Sequence, residues 1–289
     1  MKKDLCYCCS SPLAPLNQSV IVEVAQCRGC GSLLSEYPPA EAREADPWHI
    51  GNLTPSFLQA LEMRRAKQAQ RITAHFGKAL RRGKLLDYGC GQGAFVSYVR
   101  SQGIDGKGCD ISTRNLSPEI ASHFVQVSEP WEIPPLGEFT SISFLDVLEH
   151  IDSPDIFLAK LAESGIDQVL IKVPMLRGPI GMFAHWLARR GKVGLLHRLL
   201  LVDEPAPHYS FFTSKGLVKL FASRGFRLVD SVRIADVGPE LPNRLRGMQG
   251  EPSLSASRAI TTAVGLGLAM ISPLWSDTRV FLFQRSQGA

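Results

Sequence analysis

The sequence predicts an α/β fold, a seven-stranded and largely parallel sheet flanked by helices, with a small metal-bound ribbon in front of it. Three observations predict it. From Lys84 onward, short apolar runs alternate with amphipathic stretches of helical period. A glycine turn, Asp87-Tyr88-Gly89-Cys90-Gly91-Gln92-Gly93, joins the first of those runs to a helical stretch. Five of the seven cysteines fall within the first 37 residues.

The bulk properties narrow the class. A chain of 289 residues holds one large α/β domain and a small appendage more comfortably than two full domains. With 45% hydrophobic and 20% charged residues it can build a core, which excludes a disordered chain. The net charge of +5 is spread without one dominant basic run, so composition alone does not demand a nucleic-acid partner. Met1-Lys2-Lys3 is followed by no apolar run, so no secretory signal is expected and the expected location is cytoplasmic. There thiols stay reduced, and cysteines read as metal ligands or buried thiols rather than disulfides.

Residues 1–37 form the first unit. Cys6-x-x-Cys9 and Cys27-x-x-Cys30 are two knuckles with 17 residues between them, and four thiolates at that spacing can close a tetrahedral shell around a structural Zn2+. Cys8 is an alternative ligand in the first knuckle. A segment with so little core takes its fold from the metal, so chelation is expected to unfold residues 1–37 and leave the rest intact.

Residues 38–80 form a linker and a helix. Pro38, Pro39, Pro47 and Gly51 mark the linker, and Thr54-Pro55 supplies an N-cap followed by proline at the first helical position. Leu58, Leu61, Ala69, Ile72, Phe76 and Ala79 recur at helical spacing and should face the next domain, with Arg64, Arg65, Lys67 and Arg71 in solvent.

Residues 81–289 form the main domain, with strands expected near 84–88, 106–110, 123–127, 140–145, 168–173, 226–235 and 278–285. The connection over 237–277 is long enough to need structure of its own. Cys90 and Cys109, beside the first two strands, read as small buried residues.

The glycine turn is a ligand cradle. Gly89, Gly91 and Gly93 let the backbone turn tightly and let a ligand approach the free N–H groups of the following helix. Such a turn also serves dinucleotides, but the carboxylate of Asp87 would repel a pyrophosphate. Asp110 ends the second strand 17 positions after Gly93, where it can accept hydrogen bonds from ribose hydroxyls or cap the following turn.

Taken together, these residues resemble the signature of class I S-adenosylmethionine (SAM) dependent methyltransferases, in which an acidic residue stands two positions before Gly-x-Gly-x-Gly. The resemblance implies a Rossmann-like seven-stranded methyltransferase sheet. It also implies a SAM site in which Asp87 positions the amino acid moiety, Tyr88, Gly89, Gly91 and Gly93 form the cradle, Asp110 binds the ribose and Ile111 lies against the adenine. Phe144-Leu145-Asp146-Val147-Leu148-Glu149-His150-Ile151-Asp152-Ser153-Pro154 resembles the "DVLEHI-x-x-P" element of small-molecule methyltransferases and adds Leu145 to the cofactor side. Ile171-Lys172-Val173-Pro174 and the stretch from His208-Tyr209-Ser210-Phe211-Phe212-Thr213 to Gly225-Phe226 resemble later strands, so the likeness covers roughly residues 60–235. The chain departs from the family at the end of the third strand, where Ser128-Glu129 replaces the usual Gly-Asp pair near the adenine.

Methyl transfer needs alignment and, for some acceptors, a base. His150, just past the fourth strand, is the first candidate for that base; its alternative role is a packed, hydrogen-bonded residue at a helix start. His208 and Tyr209 are second candidates on a loop that, by the resemblance, borders the acceptor. Asp146, Glu149 and His150 also have the chemistry to bind a divalent ion.

The acceptor is read from the extra segments. A zinc ribbon in front of such a domain serves substrate recognition or docking in sugar and natural-product methyltransferases, and RNA binding in some ribosomal RNA guanine methyltransferases. Arg28 is the only basic residue between Cys6 and Cys30, poor provision for phosphates, and the fourth-strand element lacks an Asn-Pro-Pro-Tyr type motif. A small-molecule acceptor, first a sugar, glycan or lipid-linked intermediate, is therefore preferred to nucleic acid. The alternatives are an rRNA methyltransferase and a non-catalytic SAM-binding interaction protein. Residues 177–202 carry Met182, Phe183, Trp186, Leu187, Leu195, Leu196, Leu199 and Leu200 on helical faces among Arg189, Arg190, Lys192 and Arg198, with no acidic residue between Arg177 and Val202. They read first as a lid over the active site and second as a face for an anionic membrane or greasy acceptor. The uncharged stretch 259–276 reads as a buried or interfacial helix. The two together suggest peripheral contact with the inner membrane face.

Overall fold

The computed structural model describes residues 4–18, 22–37, 55–112, 116–129, 131–202, 206–234 and 274–286, with isolated positions between 263 and 270. The expected linker at 38–52 and nearly all of the 237–277 connection, including most of the uncharged 259–276 stretch, lie outside the described residues.

Three short strands open the chain, β1 (Leu13–Gln18), β2 (Glu23–Cys27) and β3 (Leu33–Glu36). The Pro55 start of the long helix α1 (Pro55–Leu80) is where the sequence places it. Ala69, Ile72, Phe76 and Leu80 are each no more than 2% exposed, whereas Lys67 and Arg71 lie in solvent. Burying side chains of the size of Ile72 and Phe76 contributes about 1.5–3 kcal/mol each. These residues pack with Leu85 and Val280 of the main sheet and with Phe95 and Val99 of the helix that follows its first strand.

That sheet uses β4 (Leu85–Tyr88), β5 (Gly106–Asp110), β6 (Phe124–Gln126), β7 (Ser141–Leu145) and β8 (Gln168–Pro174), then β10 (Phe226–Ile234) and β11 (Thr278–Arg285). Its order is β10-β11-β8-β7-β4-β5-β6, parallel throughout except that β11 runs antiparallel to both neighbours. The seven strands match the apolar runs of the sequence because central strands covered on both faces must be apolar along their whole length. Helices α2 (Ala94–Ser101) and α3 (Pro154–Glu163) follow β4 and β7. Chain order reverses at β4, which has β5 on one side and β7 on the other, so the crevice at the carboxyl ends of β4 and β7 is where such a sheet binds ligands.

The 177–202 insert is a helical pair, α4 (Pro179–Ala188) and α5 (Gly194–Leu199). Ahead of α6 (Ser214–Ala222) comes a two-residue strand, β9 (Ser210–Phe211), which pairs with β3 and completes a second sheet of order β1-β2-β3-β9. The inner face of the insert, Ala184, Ala188, Leu196 and Leu200, packs with Val22, Val24, Leu33 and Phe211. The insert expected as a lid over the active site is thus built onto the ribbon sheet.

The ribbon itself is not a separate body. Cys6, Cys8, Cys27, Cys30 and Leu34 share a core with Phe144, Phe212, Leu217 and Phe221 of the main domain. Thr213 caps α6 by accepting from the Gly216 N–H, donates its hydroxyl to the Cys30 carbonyl at 2.7 Å, and gives its own N–H to Ser32 Oγ at 3.0 Å. A Cβ on Gly216 would lie 2.2 Å from Ser32 Oγ, so the second knuckle sits directly on the start of α6. Strand pairing and shared packing thus tie residues 1–37 to the main domain, a tie invisible in a segment read only by its cysteines.

Candidate active site

Each of the three cradle glycines has left-handed backbone, with φ of 70° at Gly89, 54° at Gly91 and 83° at Gly93, a conformation costly for any other residue. They differ in what surrounds them. A Cβ on Gly89 would meet Val147 Cγ2 at 2.6 Å, and one on Gly93 would meet Ile120 at 2.9 Å, whereas one on Gly91 would meet nothing within 4 Å. Gly89 and Gly93 are required by the protein's own packing. Gly91 faces open space.

Asp87 lies beneath the turn, 3% exposed, and accepts the Ser143 hydroxyl at 2.6 Å from the adjacent strand. Burial, only partly offset by that hydrogen bond and reinforced by the charge of Asp110, pushes its pKa up to about 7. A buried carboxyl with this raised proton affinity is a receptor for a cation. Ser143 is a residue the sequence reading missed; its signal is positional, since Asp87 and Ser143 are register partners once β4 and β7 are adjacent.

Asp110 closes the loop from the other side. Its Oδ2 accepts the Gly91 N–H at 2.8 Å and its Oδ1 the Ser112 N–H at 3.2 Å. Two of its roughly four lone-pair directions stay available to hydroxyl donors, so the two sequence readings of Asp110, capping and ligand binding, are compatible. Ile111 is partly buried against the main core, and Leu145 against the α1 side of the sheet. Tyr88 turns inward; its ring packs 5.4 Å from Phe144 and its hydroxyl donates to the Glu132 carbonyl, so what it offers a ligand is backbone. Ser128 and Glu129 give their N–H groups to the Glu132 carboxylate. Cys109 is buried as expected, whereas Cys90 is only half-buried.

At the end of β7 the chain turns through Asp146, a non-glycine residue with φ of 60°, into a 3₁₀ turn over Leu148–His150. Asp146 forms an ion pair with Lys172, whose side chain is only 3% exposed. Asp146 is thereby drawn away from Glu149 and His150. The residue brought to those two is His208, and the ligand atoms of Glu149, His150 and His208 lie within 4.8 Å of one another. The two imidazole centroids are 4.6 Å apart. Burial lowers the pKa of both rings, that of His208 to about 3 with the charge of His150 as the second cause, so both are neutral at neutral pH.

The four cysteines expected as ligands converge too. The sulfurs of Cys6, Cys9, Cys27 and Cys30 lie within 4.8 Å of one another, with Cys6 to Cys30 at 3.8 Å and Cys9 to Cys27 at 3.4 Å. Zinc–sulfur bonds of about 2.3 Å in a tetrahedron put sulfurs about 3.8 Å apart. Burial raises the pKa of Cys27, and the N–H groups of Gly29 and Cys30 that its Sγ accepts oppose this. Cys8 is not one of these four mutually close sulfurs, although its thiol interacts with Cys6 and Cys30.

A sequence model described as a methyltransferase domain matches residues 61–231. No curated protein sequence matches the chain. Similar solved structures include the 1,6-didemethyltoxoflavin-N1-methyltransferase of Burkholderia thailandensis (17% identity over 94% of this chain and 99% of that one, TM-score 0.47). Others are a SAM-dependent methyltransferase from Archaeoglobus fulgidus (16%, 80% and 100%, TM-score 0.49) and the magnesium protoporphyrin IX methyltransferase of Synechocystis PCC 6803 (13%, 83% and 91%, TM-score 0.49).

Proposed function

The chain belongs to the methyltransferase-domain family that spans residues 61–231, and on that premise we propose that it transfers the methyl group of SAM to a small-molecule acceptor. The observation that carries the cofactor assignment is the pairing of a buried, cation-seeking Asp87 with an open Gly91 on the same turn. SAM supplies an electrophilic methyl group on a sulfonium. Asp87, held by Ser143, would receive the ammonium of its amino acid moiety. Asp110 would hold the ribose while it cinches the loop through the Gly91 N–H. In this reading His150 and His208 stand on the acceptor side as neutral imidazoles.

For the acceptor we favour a sugar, glycan or lipid-linked intermediate, handled in a cytoplasmic compartment that keeps the four ribbon thiolates reduced around Zn2+. No helix among the described residues is long and apolar enough to cross a membrane. On α4, however, Met182, Phe183 and Trp186 are about half exposed, with Phe183 stacked on Trp186 and Arg190 over the Trp186 ring. An apolar helical face edged by Arg189, Arg190 and Lys192 suits contact with an anionic lipid surface.

Incubation with methyl-labelled SAM and a cell extract, followed by separation of lipid, RNA and small-molecule fractions, tests the reading. Label is expected in the lipid or small-molecule fraction; label in RNA would overturn the choice of acceptor. Calorimetry with SAM tests the cofactor separately, and retention of binding by both Asp87→Ala and Gly91→Val would overturn it. Flotation with anionic vesicles tests the surface: a protein left wholly in the soluble fraction refutes the membrane contact.

A further inference from the structure

The Glu149, His150 and His208 cluster lies at the carboxyl end of β7, beside the cradle, because Val147 in the same turn is the residue a Cβ on Gly89 would strike. Glu149 and His150 are buried, and the backbone fixes the group from two sides. The Tyr209 N–H donates to the Glu149 carbonyl at 2.8 Å, and the His208 N–H to the Leu200 carbonyl at 2.8 Å. His150 Nδ1 lies 3.2 Å from the Pro207 carbonyl. A carbonyl can only accept, so this ring carries its hydrogen on Nδ1 and its basic nitrogen is Nε2. Among the described residues, His208 Nδ1 is buried without a hydrogen-bond partner.

We propose that Glu149, His150 and His208 form a site for a divalent transition-metal ion of the zinc or cobalt kind, separate from the four-cysteine site. Two imidazoles and one carboxylate are a recurrent donor set for such ions, and they leave coordination positions open. The Pro207 carbonyl fills the outer role that orients a ligating imidazole. Ligand atoms about such an ion stand about 3–3.5 Å apart, so donors now within 4.8 Å need close by only about an ångström. With Asp146 committed to Lys172, the third ligand is a histidine some sixty residues downstream rather than the neighbouring acid. One consequence rests on the proposed methyltransferase activity: the open positions face the acceptor and select one that presents an oxygen donor, a hydroxyl or carbonyl, beside the transferable methyl.

The test is a Co2+ titration of protein whose cysteine site is filled with zinc. One equivalent is expected to bind with visible d–d bands and no thiolate charge-transfer band, and with paramagnetically shifted imidazole protons in the NMR spectrum. Glu149→Gln and His208→Gln should each weaken this binding at least about tenfold while leaving the zinc content unchanged. No Co2+ uptake by the wild type at millimolar concentration, or uptake without shifted imidazole protons, overturns the site, as does binding unaltered in both variants. SAM binding is measured in parallel. SAM bound with no cobalt site refutes this inference alone, and a cobalt site with no SAM binding refutes the proposed function alone.

Discussion

Replacing Asp87 with asparagine should remove SAM binding and, at alkaline pH, relieve the protein of a cost. In the folded chain burial raises this carboxyl to about 7, against 3.8 for an ordinary aspartate. Between those values the native state keeps a proton that the unfolded chain has already released. The unfolded state therefore binds fewer protons, and stability falls as pH rises through the window, levelling off above about 7. The gap corresponds to about 4 kcal/mol. An amide does not titrate and still accepts the Ser143 hydroxyl, so the variant lacks this fall. Thermal unfolding of both proteins at pH 4.5 and 8.5 reads the effect as a double difference. Relative to wild type, the Asn variant should gain about 3 kcal/mol between the two pH values, because part of the fall lies below pH 4.5, and this is on the order of 5 °C in Tm. Saturating SAM should flatten the fall in the wild type, because its ammonium draws the carboxyl back toward its ordinary range. A difference between variant and wild type that does not change with pH would show that Asp87 is not desolvated as described, and the cation-receptor argument would fail with it.

Three further outcomes are expected. Gly89→Ala should lose about 2–4 kcal/mol of stability, from left-handed strain and the collision with Val147; Gly91→Ala should lose about 1 kcal/mol yet bind SAM far more weakly. Calorimetry and melting curves separate the two, and equal stability losses would contradict the packing difference. Asp146→Asn should destabilise by about 2 kcal/mol by leaving the Lys172 ammonium buried beside no carboxylate, whereas Lys172→Met should stay within about 1 kcal/mol of wild type; denaturant titration checks both, and the reverse order would be fatal to the argument. Chelation of the cysteine site should open protease cleavage both in residues 4–36 and around 206–213, because β9 and Thr213 are built onto the ribbon. Cuts confined to the first segment, mapped by mass spectrometry, would restore an independent ribbon.

How far the sequence reveals this structure depends on how locally each feature is encoded. The strands of the main sheet are legible because double-sided burial makes runs such as Val169-Leu170-Ile171 wholly apolar, and the cradle because its glycines sit at left-handed positions. The ribbon strands are not. Leu13–Gln18 and Glu23–Cys27 show no clean alternation, and they are held by the converging cysteines packed in the shared core and by a partner strand at Ser210–Phe211 too short to be recognised alone. The histidine pair is half legible: position along the fold singles out His150, but only the pairing of β3 with β9 and the Tyr209 to Glu149 hydrogen bond bring His208 to it. Asp146 misleads, since its place beside Glu149 and His150 suggests a shared site. A lysine in the middle of an apolar strand was the available warning, because a buried ammonium demands a carboxylate, and Asp146 is the one that answers Lys172.

The pairing of Leu33 and Leu34 with Phe211 and Ser210 also sets an order on the birth of the molecule. During synthesis the two cysteine knuckles leave the ribosome ahead of the main sheet. The edge of β3 must then wait, unpaired, while the whole central sheet is made, because its neighbour strand comes after β8. An exposed strand edge held open for that long is a template for wrong partners. The nascent chain is therefore most vulnerable to misassociation until Ser210 arrives, and a chaperone that shields the β3 edge would act there.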